Sequence, residues 1–226
     1  MSPRLLDLLF PHTSLLGRDD GPISEKERAL IRQRMMPLLL DEKMLHTMKM
    51  PALEAVVAAS KYDSNPVLKK AILTFKYHRI STLKSDLGEW MNSAITGLLL
   101  PPLCDEFRRT ASPKPVLCPV PLHWTRKFWR GFNQAELLAR YVGKVRGWPV
   151  EELLKRTRPT GHQARRNRSE RLTALKHAFT FVGQTPPTWV VLIDDICTTG
   201  STLHECALAL KKAGVKHVSA LVVAYG

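Results

Sequence analysis

The chain has 226 residues, of which 44% are hydrophobic, and it carries a formal net charge of +14. This length indicates one large domain, or one domain with an appendage, and is ample for a buried core. The excess of basic residues indicates an anionic partner, which is a nucleic acid, a phosphorylated metabolite or a membrane surface.

Cysteine usage and the apolar runs exclude several classes of protein. The four cysteines are scattered singly, without a Cys-x-x-Cys pair. We therefore expect neither a structural zinc site nor a disulfide framework, and we expect a reducing cytosol. No apolar stretch approaches the roughly 20 residues that span a bilayer. The start, MSPRLLDLLFPHTS, is too weakly apolar for a secretory signal. The sequence predicts a soluble cytoplasmic protein without a membrane span.

Apolar strands and amphipathic helices alternate along the chain. Ser24 and Glu27 predict a capping box for a helix over 24–40, which Pro37 should end or kink. Strands are then predicted over 53–59, 115–122, 189–194 and 218–224, and helices over 66–78, 82–99, 133–147 and 201–214. Residues 155–171 show no apolar period and predict a long basic loop. This alternation predicts an α/β fold with a parallel sheet and helices on both faces.

The stretch 190–202, VVLIDDICTTGST, ends an apolar strand in two aspartates and places a hydroxyl-rich turn before a helix. Ligands of parallel sheets gather beyond the carboxyl ends of the strands. A glycine permits a tight turn, and the free N–H groups of a helix start attract anions. The predicted phosphate cradle consists of Thr198, Thr199, Gly200, Ser201 and Thr202. Because like charges repel, Asp194 and Asp195 suit ribose hydroxyls or magnesium instead. The alternative is a capped helix beside two solvated acids.

In the order of its residues, this stretch resembles the phosphoribosyl pyrophosphate (PRPP) motif of type I phosphoribosyltransferases. Apolar residues, two acids and two variable positions precede Thr-Thr-Gly-Ser-Thr. The resemblance implies that Asp194 and Asp195 are the catalytic acids and contact the ribose hydroxyls. It also implies that residues 198–202 wrap the 5-phosphate and that Mg²⁺ accompanies the ligand.

Basic and aromatic residues interleave in the segment PVPLHWTRKFWRGFNQAELLA, residues 119–139. Residues 123–171 hold 13 basic and 4 acidic side chains, a net charge of +9. Arginines grip a pyrophosphate bidentately, and aromatic residues beside cations stack on the bases of single-stranded DNA. The candidates for these contacts are Trp124, Arg126, Lys127, Trp129 and Arg130. The alternative is that the tryptophans anchor the core and the cations form a solvated rim.

Three stretches together resemble the ComF family (ComFC/GntX type) of competence-associated proteins with a phosphoribosyltransferase domain. They are 62–78 (YDSNPVLKKAILTFKYH), 119–139 and the RTRPTGHQ…ER…AF pattern of 156–179. With 189–225 they cover roughly 53–226. The resemblance implies a type I phosphoribosyltransferase-like domain over 51–226, after a helical region over 1–50. It also implies a cytoplasmic protein that helps natural transformation handle incoming single-stranded DNA.

The chain departs from the family pattern near its start and at two inner positions. The family commonly begins with a zinc ribbon of paired Cys-x-x-Cys motifs, whereas Thr13 and Leu16 stand where the first pair would fall. We therefore expect an N-terminal region without zinc. Ala174 and His78 also differ from the family pattern. Both departures concern the part of the site where the acceptor of the phosphoribosyl group would bind.

Three functional hypotheses remain open. A phosphoribosyltransferase would hold the departing pyrophosphate on Arg126 and Arg130 and would close the basic loop as a lid. The lid candidates are Arg165, Arg166, Arg168 and Arg171. A binding module would instead hold a phosphoribosyl ligand without turnover and would present single-stranded DNA to DNA-uptake proteins. The third hypothesis is a nucleobase or amido phosphoribosyltransferase of nucleotide metabolism.

Overall fold

Helices and strands alternate in a computed structural model, which describes residues 23–77, 82–98, 114–122, 131–157 and 178–226. The helices in these residues are α1 (Glu25–Gln33), α2 (Glu42–Thr47), α3 (Pro66–Tyr77), α4 (Leu83–Leu98), α5 (Gln134–Arg146) and α6 (Ser201–Lys212). The strands are β1 (Leu38–Leu40), β2 (Ala55–Lys61), β3 (Val116–Pro119), β4 (Leu154–Arg156), β5 (Phe179–Phe181), β6 (Trp189–Cys197) and β7 (His217–Tyr225). None of the described helices is long and apolar enough to cross a bilayer.

The main sheet has the order β1-β2-β7-β6-β3. Strands β2, β7, β6 and β3 run parallel, and β1 pairs antiparallel with β2 at one edge. Apart from two aspartates in β6 and His217 and Ser219 in β7, both strands are apolar, which is typical of parallel strands that are covered on both faces. The predicted α/β class, with a mostly parallel sheet flanked by helices, is confirmed.

The two faces of the sheet bury separate hydrophobic cores. On β6, Val190 and Leu192 pack in the core that also contains Leu203 of α6. Val191 and Ile193 belong to the other core, which is formed with helices α3, α4 and α5. Successive side chains of a strand point to opposite faces. The same alternation therefore assigns the next two residues of β6, both aspartates, to different faces.

Several predicted helix ends are confirmed. Ser24 and Glu27 form the full capping box of α1, since each side chain accepts a hydrogen bond from the other residue's backbone N–H. Gly147 ends α5 in the left-handed conformation at φ 64°, which glycine adopts at little cost. Asn65 lies before α3, and its Oδ1 accepts a hydrogen bond from the N–H of Leu68 at 3.2 Å. Local sequence therefore determines where these helices begin and end.

Two predictions about segments were wrong. The helix predicted over 24–40 ends at Gln33, and residues 38–40 form strand β1. Pro37 lacks an N–H for the helix, and the leucines after it find backbone partners in β2. The basic loop predicted from residue 155 begins later, because 154–156 pairs antiparallel with 179–181 in a two-stranded ribbon.

Asn65 joins two helices, and its removal tests this connection. The fully buried side chain caps α3 and also donates from Nδ2 to the carbonyl of Ile31 at 3.0 Å. We expect Asn65→Ala to lower the free energy of unfolding by about 2 kcal/mol, because it removes a cap and leaves a buried carbonyl without this donor. Urea unfolding measures the loss. The exposed neighbour Ser64 is the control, and an equal loss in Ser64→Ala would contradict the assignment.

Candidate functional site

The two aspartates lie inside strand β6, not at its end. The strand was predicted to stop at Asp194, but it continues to Cys197. Its register with β7 is kept throughout, with Asp194 opposite Val222 and Cys197 opposite Tyr225. Backbone pairing does not depend on side-chain polarity, so the ladder extends beyond the apolar run. The acids therefore have a fixed backbone near the carboxyl edge of the sheet.

Asp195 is buried and paired with a lysine from another element. Its Oδ1 lies 2.9 Å from Nζ of Lys76, in the last turn of α3. The Asp195 and Lys76 side chains are only 8% and 18% exposed. A solvated Asp195, as the capped-helix alternative assumed, does not agree with this burial.

Asp194 is half-buried, and the alternation along β6 assigns it to the same face as Leu192, on which helix α6 packs. Its Oδ1 accepts a hydrogen bond from the backbone N–H of Asp195 at 2.8 Å. Burial and the Asp194 charge together raise the pKa of the Cys197 thiol to about 12. The same charge contributes, after burial, to the raised pKa of Cys206 in α6. The charge of Asp194 thus acts on thiols on the α6 side of the sheet, whereas Asp195 faces α3.

The turn after β6 depends on Gly200. This residue has φ 71° and ψ −2°, the left-handed conformation that other residues adopt only at a cost. A Cβ at this position would lie 1.8 Å from Sδ of Met50, which is itself buried. Both the conformation and the close contact require glycine. The chain consequently turns sharply enough for α6 to begin at Ser201.

Helix α6 begins without a side-chain cap. Gly200 occupies the cap position and supplies no side-chain cap, and the N–H of Ser201 makes only a long hydrogen bond, at 3.5 Å, to Oγ1 of Thr199. The hydroxyls of Thr199 and Ser201 instead lie 2.9 Å from each other. The first N–H groups of a helix lack intrahelical partners and carry partial positive charge. The predicted cradle over 198–202 therefore has the backbone character that an anion requires.

A second helix start borders the same edge. Asn133 caps α5 and donates from Nδ2 to the carbonyl of Val120, just beyond β3, at 3.1 Å. Gln134 donates from Nε2 to the carbonyl of Lys76 at 3.4 Å. These bonds connect the ends of β3 and α3 to the start of α5. Neither Lys76 nor Gln134 is predicted from the sequence to be a site residue, although both lie in stretches that resemble the ComF family.

The remaining predicted contacts lie outside the described residues. This holds for Trp124, Arg126, Lys127, Trp129, Arg130, Arg165, Arg166, Arg168 and Arg171. The two described residues nearest to the lid candidates in the chain, Thr157 and Ala178, meet at the two-stranded ribbon. The N–H of Thr157 donates to the carbonyl of Ala178 at 2.9 Å. Among the described residues, no group of three or more His, Cys, Asp or Glu side chains could hold a metal.

The described cysteines belong to the core, and their thiols are expected to be unreactive. Cys118, Cys197 and Cys206 are buried, and burial raises the pKa of Cys118 to about 12 as well. The reactive form of cysteine is the thiolate, so these thiols are poor nucleophiles near neutral pH.

We expect a Cys104→Ser variant, which keeps only these three thiols, to react with Ellman's reagent at pH 8 only after unfolding. The fully denatured variant is the control for the total thiol count. Rapid reaction of any thiol in the native variant would contradict the burial described here.

Comparison with known proteins identifies the family. No protein-family model matches the chain. The chain is 33% identical over 134 residues to Competence protein F of Haemophilus influenzae, a match that covers 57% of this chain and 58% of that protein. It is 32% identical over 173 residues to DNA utilization protein YhgH of Escherichia coli K12, covering 75% of this chain and 71% of that protein. The chain belongs to the ComF family.

A further ComF relative extends the comparison to another organism. Competence protein ComFC of Bacillus subtilis is 29% identical over 159 residues, which cover 69% of this chain and 58% of that protein. The chain thus spans less than two thirds of both Competence protein F and ComFC. The predicted membership of the ComF family is confirmed, and the phosphoribosyltransferase domain stays a prediction.

Proposed function

We propose that this ComF-family chain binds PRPP together with Mg²⁺ at the carboxyl edge of its sheet, and that it serves the handling of single-stranded DNA during DNA uptake. One observation supports the ligand most directly. Gly200 turns the chain in the left-handed conformation so that α6 begins without a side-chain cap, directly after the two aspartates of β6. A ribose 5-phosphate has both matching groups, because its phosphate is the anion that a helix start attracts and its ribose carries the hydroxyls that the acids accept from.

The proposed ligand places one chemical group at each part of the site. The 5-phosphate accepts hydrogen bonds from backbone N–H groups of 198–202, while the carboxylates of Asp194 and Asp195 accept them from the ribose hydroxyls. The ladder with β7 fixes the backbone of both acids. A ligand therefore meets preorganised groups, which reduces the entropic cost of ordering them.

One carboxylate of the pair is available to a magnesium ion that arrives on the ligand. Mg²⁺ is usually held by one or two carboxylates together with substrate phosphates and water. Asp194 is partly exposed to solvent, whereas Asp195 is buried against Lys76. When bound, magnesium would neutralise part of the phosphate charge of the ligand. Asp194 is therefore the residue that we assign to the ion.

The site also suits transfer of the ribosyl group. In such a reaction the bond from the anomeric carbon to pyrophosphate breaks, pyrophosphate leaves with the electron pair, and the acceptor bonds to the same carbon. The carbon develops oxocarbenium character. Asp194 and Asp195, fixed beside the ribose, would stabilise this positive charge and orient the ring.

The proposed role with DNA rests on relatives and on charge. Two relatives are named competence proteins and another a DNA utilization protein. The net charge of +14 gives this chain a strong attraction for polyphosphates. If single-stranded DNA binds directly, its affinity should fall steeply with salt because bound counterions are released.

Calorimetric titration with PRPP, in the presence and absence of Mg²⁺, tests the ligand. We expect saturable binding that strengthens with magnesium, and absence of binding under both conditions would contradict the proposal. Release of pyrophosphate with any base in an acceptor screen would favour transfer over simple binding. Titration of labelled single-stranded DNA at increasing salt tests the second part, and binding that does not change with salt would contradict it.

A further inference from the structure

Lys76 places a buried cation beside the proposed ligand. Its Nζ lies 2.9 Å from Asp195, and the Lys76 side chain is only 18% exposed. The backbone of Lys76 is held as well, because Gln134 donates a hydrogen bond to its carbonyl. A buried ion pair gives little net stability, since the desolvation of both charges offsets their attraction. Stability alone therefore does not account for a lysine at this position.

The lysine and the phosphate cradle lie towards opposite faces of the sheet. Helix α6, whose start forms the cradle, packs on the face of Leu192. Helix α3 packs on the face of Ile193. Asp195 follows the same alternation as Ile193, in agreement with its ion pair to α3. The ammonium group is thus separate from the site assigned to the 5-phosphate.

We infer that Lys76 recognises a second anionic group of the ligand, the diphosphate at the anomeric carbon, and positions Asp195 for the ribose. This inference rests on the proposed function. A phosphoribosyl ligand has anionic groups at both ends of its ribose. With one end at α6 and the ribose at the aspartates, the other end extends towards α3. A lysine ammonium there supplies three donors and a full charge for that group.

Comparison of two ligands tests the inference. Ribose 5-phosphate has the phosphate and the ribose but no diphosphate. Only the affinity for PRPP should therefore depend strongly on Lys76. We expect Lys76→Met to raise the Kd of PRPP about tenfold or more and that of ribose 5-phosphate less than about threefold, as loss of one charged contact predicts. Lys76→Arg should retain part of the preference for PRPP. Lys70→Met, an exposed position of the same helix, is the matched control and should change neither Kd.

A further variant keeps the test decisive if Lys76→Met unfolds. Lys76→Met combined with Asp195→Asn removes both buried charges, and it is compared with Asp195→Asn alone. The preference for PRPP over ribose 5-phosphate should fall only when Lys76 is also replaced. Equal losses for both ligands, or no loss, would overturn the inference and leave the proposed function intact. If the wild-type chain binds neither ligand, the proposed function fails and the inference with it.

Discussion

Replacement of Gly200 by alanine is expected to destabilise the protein and abolish measurable PRPP binding. The left-handed backbone at φ 71° disfavours any Cβ, and that Cβ would overlap the side chain of buried Met50. Backbone strain and overpacking together should lower the free energy of unfolding by about 2 to 4 kcal/mol. The turn must also shift, which displaces the first N–H groups of α6. Urea unfolding and calorimetric titration measure the two effects.

Gly147 provides the matched control for this substitution. It has a similar φ of 64°, but a Cβ there would meet only the tip of exposed Lys114, at 3.4 Å. We expect Gly147→Ala to cost about 1 kcal/mol and to leave PRPP binding unchanged. In addition, Met50→Ala and Gly200→Ala should cost less together than the sum of the single changes, because they share one contact. Full additivity would contradict the overlap.

Substitution of the aspartates should separate stability from binding. We expect Asp194→Asn and Asp195→Asn each to weaken binding of magnesium-PRPP at least about tenfold, through loss of a charged acceptor. Their stabilities should differ. The amide oxygen introduced by D194N can still accept the hydrogen bond that Asp194 takes from the N–H of Asp195, so unfolding changes little. D195N leaves buried Lys76 beside a neutral amide, which should cost about 3 kcal/mol.

Asp63 is a suitable control for both changes. Its carboxylate is 80% exposed and pairs with Lys69 at 3.3 Å on the surface. Asp63→Asn should alter stability by less than about 1 kcal/mol, as exposed ion pairs usually do, and should leave PRPP affinity unchanged. Binding that persists unweakened in both D194N and D195N would show that the ligand does not contact the acids.

Features that depend on local sequence were predictable. The apolar run of β6, the helix face of α6 and the tight turn at Gly200 all follow from neighbouring residues. The capping box at Ser24 is equally local. The order of acids, glycine and hydroxyls in 190–202 therefore predicted which part of the fold forms the candidate site.

Features that depend on distant residues were not predictable in the same way. Residues 38–40 form a strand because β2 offers an edge, which a leucine run does not reveal. The ion pair of Lys76 with Asp195 joins α3 to β6, and hydrophobic periodicity does not specify such partners. The position of Met50 beside Gly200 is likewise not specified by neighbouring residues, and this contact explains why that glycine is required.

The position of the ligand is tested most directly by NMR of the ¹⁵N-labelled chain during addition of magnesium-PRPP. We expect the backbone amide resonances of 198–202, Asp194 and Asp195 to shift most. The amide of Gly147, at the other end of α5, should stay unchanged and serves as the internal reference. The absence of shifts, or largest shifts away from 194–202, would contradict a phosphoribosyl site at the start of α6.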